Sequence, residues 1–154
     1  MAGKVAGFTL IEILVAISIL AVLLAIAIPS YTHWQNERQL TSEARKVNAF
    51  VQQERTRAFS TSQQIDLSVD GNSRICSEEM ATGQERCLQT EYALASSHNS
   101  ITINSNGIFE PDPSWIGFED QELVEQYSPR FSCINLTTTK ARLGQYENGE
   151  CTPE

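Results

Sequence analysis

At 154 residues and a formal charge of −8, the chain has room for one apolar membrane segment and one small globular domain of about 120 residues, which excludes a second domain. The charge is uneven: residues 61–125 hold twelve acids against only Arg74 and Arg86, whereas residues 126–146 hold Arg130, Lys140 and Arg142 and no acid. Such a body repels polyanions over most of its surface and leaves at most a small basic face.

In chain order, residues 1–7 read as a short leader with one cation, Lys4, ending at Gly7. Phe8-Thr9-Leu10-Ile11-Glu12 then opens an apolar run that reaches Ile28 before Pro29. At about 1.5 Å per residue, Phe8 to Ile28 measures roughly 31 Å as a helix, the thickness of a bilayer's hydrocarbon core. Glu12 is the one charge inside it. Burying a carboxylate at mid-bilayer depth costs about 2.5–3.5 kcal/mol on insertion scales, and less near the interface, so Glu12 calls for a partner. A secretory signal peptide carries its apolar stretch ahead of the cleavage site; here the site, Lys4-Val5-Ala6-Gly7, comes first. A plain membrane anchor accounts for the length and leaves Glu12 without a role.

The order Gly7, then Phe8-Thr9-Leu10-Ile11-Glu12, resembles the leader of prepilins, the subunits of type IV pili and of type II secretion pseudopili. The resemblance implies cleavage by a membrane prepilin peptidase between Gly7 and Phe8, methylation of the new amine on Phe8, and an assembly role for Glu12. In a filament core of low dielectric, that carboxylate would face the Phe8 ammonium of a neighbouring subunit. It also implies an α+β type IV pilin fold, with a long N-terminal helix, half of it transmembrane, packed on an antiparallel sheet. Residues 8–29 would be the transmembrane and assembly helix and 30–154 a periplasmic pilin domain. The protein would sit in the inner membrane as a single-pass subunit, then in an extracellular filament.

Beyond Pro29, where a kink is expected because the ring removes a backbone hydrogen bond, a helical beat continues. Leu40, Ala44, Val47, Val51 and Ala58 fall on one stripe, with Glu37, Arg38, Glu43, Arg45 and Arg55 between them. A lone amphipathic helix cannot bury its stripe, so a sheet must cover it. Strands are expected at Gln64–Val69, Arg74–Cys76, Cys87–Leu94, Ser100–Ile103, Trp115–Phe118, Arg130–Leu136 and Ala141–Leu143. Asp70-Gly71-Asn72 and Asn106-Gly107 are hairpin signals, Pro111 and Pro113 mark a loop, and Glu119 to Tyr127 fits one helical turn or a mobile loop. Alternation along the strands predicts a mostly antiparallel sheet with one wet face.

Cys76, Cys87, Cys133 and Cys151 are an even set in a domain that the membrane helix places outside the cytoplasm, so disulfides are expected. Three connectivities are open; the sequential one closes the shorter loops. Neither sequential pair has zinc-ligand spacing, and His33 and His98 stand alone in the sequence, so no metal and no cofactor are expected.

Past the leader, the whole chain resembles the minor pilins and pseudopilins of the FimT, FimU and GspH type. The residues that carry this are Glu54-Arg55-Thr56-Arg57-Ala58 feeding a strand, Ile101-Thr102-Ile103 with Asn106-Gly107, Trp115-Ile116-Gly117-Phe118, and a C-terminal strand pair around Cys133 and Lys140-Ala141-Arg142. Secretion-type GspH proteins generally do without the cysteines, whereas the FimT and FimU type often carries a C-terminal pair; Cys133 and Cys151 point to a minor pilin of a type IV pilus, an assembly and initiation subunit at the filament tip. Its implied partners are major and minor pilins, the peptidase and the inner membrane, and the alternative is a GspH-like pseudopilin of a type II secretion system. Some FimT-like proteins bind DNA during natural transformation through a Gly-Arg-x-Arg turn; here Thr139-Lys140-Ala141-Arg142 keeps both cations and lacks the Gly. Lys140 and Arg142, with Arg130, are therefore candidate phosphate contacts and Tyr146 a stacking partner, against the plainer reading of an edge protected by charge. No nucleophile elbow, phosphate loop or metalloprotease motif is present, so the chain does not read as an enzyme.

Overall fold

A computed structural model describes residues 8–71, 73–147 and 149–153. The chain divides into two units, residues 1–35 and 36–154. Helix α1 (Leu10–Thr61) begins in the first and ends in the second.

In the first unit Thr9 starts the helix. Its Oγ1 accepts the Glu12 backbone N–H at 3.3 Å, which satisfies one of the donors that a helix start leaves without a partner. From Phe8 to Ile28 the large apolar side chains are all exposed, and no part of the most apolar window is buried. Pro29 lies inside the helix.

In the second unit the expected stripe is buried: Leu40, Ala44, Val47, Val51 and Ala58 are each at most 1% exposed. α1 ends where Ser62 turns left-handed at φ 54° and the Gln63 N–H returns to the Ala58 carbonyl at 3.1 Å.

Ten strands follow: β1 (Ile65–Asp70), β2 (Arg74–Glu79), β3 (Gln84–Gln89), β4 (Leu94–Ser96), β5 (Ser100–Ile103), β6 (Phe109–Glu110), β7 (Ser114–Phe118), β8 (Cys133–Thr137), β9 (Lys140–Glu147) and β10 (Glu150–Pro153). They form two five-stranded sheets, ordered β3-β2-β1-β5-β6 and β10-β9-β8-β7-β4, with antiparallel pairing throughout. The fold is thus α+β, with a long helix packed against antiparallel sheets.

The expectation of one sheet is corrected to two, and the expected strand Cys87–Leu94 is broken. Thr90 turns the chain by donating its hydroxyl to the Ser73 carbonyl at 2.9 Å, so β3 stays in the first sheet while β4 joins the second. Both hairpin signals hold: β1 meets β2 with Asp70 opposite Arg74, and β5 meets β6 with Ile103 opposite Phe109. Asn72 itself lies outside the described residues. Arg130–Ser132 is not strand; β8 begins at Cys133.

Inward residues of the first sheet, Ile65, Leu67, Ile75, Ile101 and Ile103, join Ile116, Phe118, Ile134 and Leu136 of the second and the α1 stripe in one core. The segment left open between turn and loop is helix α2 (Gln121–Tyr127), capped by the Asp120 carboxylate on Leu123 N–H at 3.0 Å. Gly144 has a local reason to be glycine: a Cβ there would stand 2.3 Å from the Thr152 carbonyl oxygen of β10.

Candidate functional site

The first candidate site is the start of α1. Gly7 lies outside the described residues; Phe8 is 79% exposed, and Glu12 follows in the first helical turn, also exposed. Thr9 and Glu12 have the spacing of a capping box, with Thr9 at the cap and Glu12 at the third helical position. A carboxylate here also meets the positive end of the helix dipole, a favourable placement worth about 0.3–1 kcal/mol at an exposed site. That is a fraction of the insertion cost, so capping alone does not account for a charge in an apolar helix.

Polar groups along the same segment are internally satisfied. Ser18 Oγ donates to the Leu14 carbonyl at 2.8 Å, Ser30 Oγ to Ile26 at 3.4 Å, and Thr32 Oγ1 to Pro29 at 2.9 Å. Hydroxyls tied back to their own helix suit a helix that faces lipid. Glu12 is the exception: among the described residues its carboxylate has no hydrogen-bond or ion-pair partner, and its chemistry points outward.

A model of the prokaryotic N-terminal methylation motif matches residues 3–28. The match supports a type IV pilin-like protein, processed by prepilin peptidase and assembled with other pilins. It covers the leader and the apolar helix; no characterised protein and no solved structure matches the chain.

The second candidate site is the outer face of the β10-β9-β8-β7-β4 sheet. Lys140 and Arg142 are exposed and flank the buried Ala141, so both project from the outer side of β9. In register across the sheet, Trp115 pairs with Asn135 and Asn135 with Arg142. Further along β9, Tyr146 packs on Trp115 with ring centroids 4.7 Å apart. Two cations and two aromatic rings thus share one sheet face. Arg130 is not with them: it precedes β8, while Lys140 faces Thr137 at that strand's far end. Its guanidinium lies 5.2 Å over the Phe131 ring, which also holds Arg45 at 5.5 Å, and its backbone N–H donates to Thr41 Oγ1 at 3.2 Å. Arg130 therefore helps dock the loop on α1.

Two disulfides brace this unit. Cys76 and Cys87 stand opposite each other on β2 and β3 and are bonded. Cys133 bonds Cys151, tying β8 to the C-terminal strand across β9. Each loop closed is worth about 3 kcal/mol in the chain-entropy account. Among the described residues, the one grouping with metal-ligand chemistry is Cys76, Glu85 and Cys87, and its two sulfurs are spent on the disulfide.

Glu43, expected among the charges between the stripe residues, is instead buried with Glu54, for which no burial reading was made from sequence. Glu43 and Glu54 sit on the buried face, 3% and 0% exposed. Glu54 faces Arg86 of β3 at 3.1 Å and Arg57 at 3.0 Å, and Arg57 lies 3.8 Å from Glu79 of β2. Glu43 accepts from Lys46 Nζ and from the Glu91 backbone N–H at 3.4 Å. The hydrogen bond from Lys46 to Glu43, with their charge attraction, raises the lysine pKa above its ordinary value; burial, then the neighbouring Glu91 and Glu43, raises that of Tyr92. These clusters clamp α1 to the first sheet and to the 90–92 turn. The spacing 47, 51, 54, 58 was the available signal for Glu54; its partner Arg86, 32 residues away, was not.

Proposed function

We propose that this chain is a minor pilin of a type IV pilus, an assembly and initiation subunit at the filament tip. The leader is cut between Gly7 and Phe8, Phe8 is N-methylated, α1 holds the subunit in the inner membrane with its domain in the periplasm, and the assembled form is extracellular. The observation that carries this reading is Glu12, a lone carboxylate in the first turn of an exposed apolar helix, directly after a leader that matches the methylation motif. In the bilayer it is a cost; in a filament the exposed apolar side chains pack on neighbouring helices, and Glu12 meets the Phe8 ammonium of the next subunit in a low dielectric. Glu12→Ala is expected to insert at least as well as the parent and to enter filaments poorly, read by immunoblot of membrane and sheared-filament fractions. Incorporation of that variant at parental level sinks the ion-pair reading.

A second reading concerns DNA, on the observation that Lys140 and Arg142 share a sheet face with Trp115 and Tyr146. Two cations reach neighbouring phosphates and aromatic edges add stacking. The acidic remainder of the domain keeps such binding weak. A GspH-like role in type II secretion is the alternative; loss of secretion with normal piliation in a deletion strain would favour it.

A further inference from the structure

Tyr31 and Trp34 follow the apolar run by one helical turn and two. They are 61% and 46% exposed, and their rings sit 5.9 Å apart on one side of α1, as residues three apart on a helix must. We infer that this pair is an interfacial anchor that seats in the headgroup layer of the bilayer and fixes how deep α1 lies before assembly. The inference rests on the membrane reading above and adds a site, Tyr31 and Trp34, to it.

The argument is one of distance. If Phe8 to Ile28 fills the hydrocarbon core of about 30 Å, Tyr31 begins about 4.5 Å and Trp34 about 9 Å beyond its edge at 1.5 Å per residue. The headgroup layer on each side is about 5–7.5 Å thick, from a total of 40–45 Å. Helical side chains lean towards the N-terminus, here towards the membrane, so the Trp34 ring covers a level below its own Cα and both rings fall within that layer. Tyrosine and tryptophan are the residues enriched there, since each joins an apolar body to one polar atom. The surroundings agree: Ser30 and Thr32, on either side of Tyr31, keep their hydroxyls on helix carbonyls. The first acid beyond Glu12 is Glu37, one turn past Trp34. Continuity with the exposed apolar span selects lipid as the occupant, because a helix turn just outside the core meets headgroups wherever the span is inserted.

The test uses the full chain in phosphatidylcholine vesicles whose acyl chains carry bromine near the headgroup or near the methyl end. The Trp34 signal is the difference between parent and Trp34→Phe, whose remaining Trp115 reports the domain. Expected are co-flotation with vesicles and loss of the Trp34 signal to the shallow bromine more than to the deep one, with Trp115 quenched by neither. Tyr31→Trp in the Trp34→Phe background should show the same shallow loss. Co-flotation with Trp34 quenched by neither label and open to aqueous iodide would overturn the anchor while leaving the membrane reading intact; stronger loss to the deep label would overturn it too. Failure to co-float would overturn both.

Discussion

Two glutamates on one helix show how context decides what a carboxylate does. Glu12 is exposed on an apolar segment with no cation beside it among the described residues, and in the proposed filament its chemistry is completed from outside the chain. Glu54 is fully buried and completed from inside, by Arg57 and Arg86. The Arg57 side chain is 15% exposed and that of Arg86 40%, so removing the carboxylate strands mainly Arg57; Arg86 can turn to water. Breaking a buried pair by deleting one partner costs about 3–5 kcal/mol. Glu54→Gln is therefore expected to lower the stability of the fragment beginning after Pro29 by about 3 kcal/mol in urea unfolding, at the low end of that range because Glu79 remains near Arg57. A change under about 0.5 kcal/mol, ordinary for a surface site, would contradict the clamp.

At the level of elements, the pattern of residues foretold what periodicity can carry. The stripe from Leu40 to Ala58 and the strands β1 and β5 alternate or repeat strongly, and the glycines at 71 and 107 mark their hairpins. β6 is two residues long and β10 reads Glu-Cys-Thr-Pro, too short or too polar to announce a strand; they exist because a neighbour offers an edge. The break between β3 and β4 has no glycine or proline and is made by Thr90, whose partner Ser73 is remote in sequence. Contacts of that range lie beyond what periodicity can carry, and two sheets are found where one was expected. The clasp of Glu43, Lys46, Glu91 and Tyr92 carries a pH signature. Lys46 and Tyr92 both hold their protons more tightly folded than unfolded, so the stability they lend is full below their ordinary values and drains as pH rises through the folded ones. Urea midpoints should hold steady to about pH 9.5 and fall beyond about pH 10, with a shallower fall in Lys46→Met and Tyr92→Phe. An equal fall in parent and variants would place the alkaline loss elsewhere.

For the whole molecule, the leader was the most legible part, because cleavage, insertion and assembly impose residue types at fixed spacing on one short stretch. The outer sheet face was half legible: alternation put Lys140 and Arg142 together, whereas the docking of Arg130 on Phe131 and the approach of Trp115 to Tyr146 depend on the fold. If the face contacts DNA, the fragment beginning after Pro29 should bind duplex of any sequence weakly in gel-shift assays. Each of Lys140→Glu and Arg142→Glu should take about one unit from the salt slope. Undiminished binding by the double variant, or no shift at low salt, would remove DNA from the account.

The central claim is that the chain is a processed, filament-forming subunit, and its N-terminus tests that most directly. Mass spectrometry of the protein recovered from sheared filaments of cells holding the peptidase and companion pilins should find a chain that begins at N-methylated Phe8, with the full-length form accumulating when the peptidase is deleted. A filament-fraction protein that retains Met1 to Gly7, or one cut after the apolar run as a secreted protein would be, would contradict it.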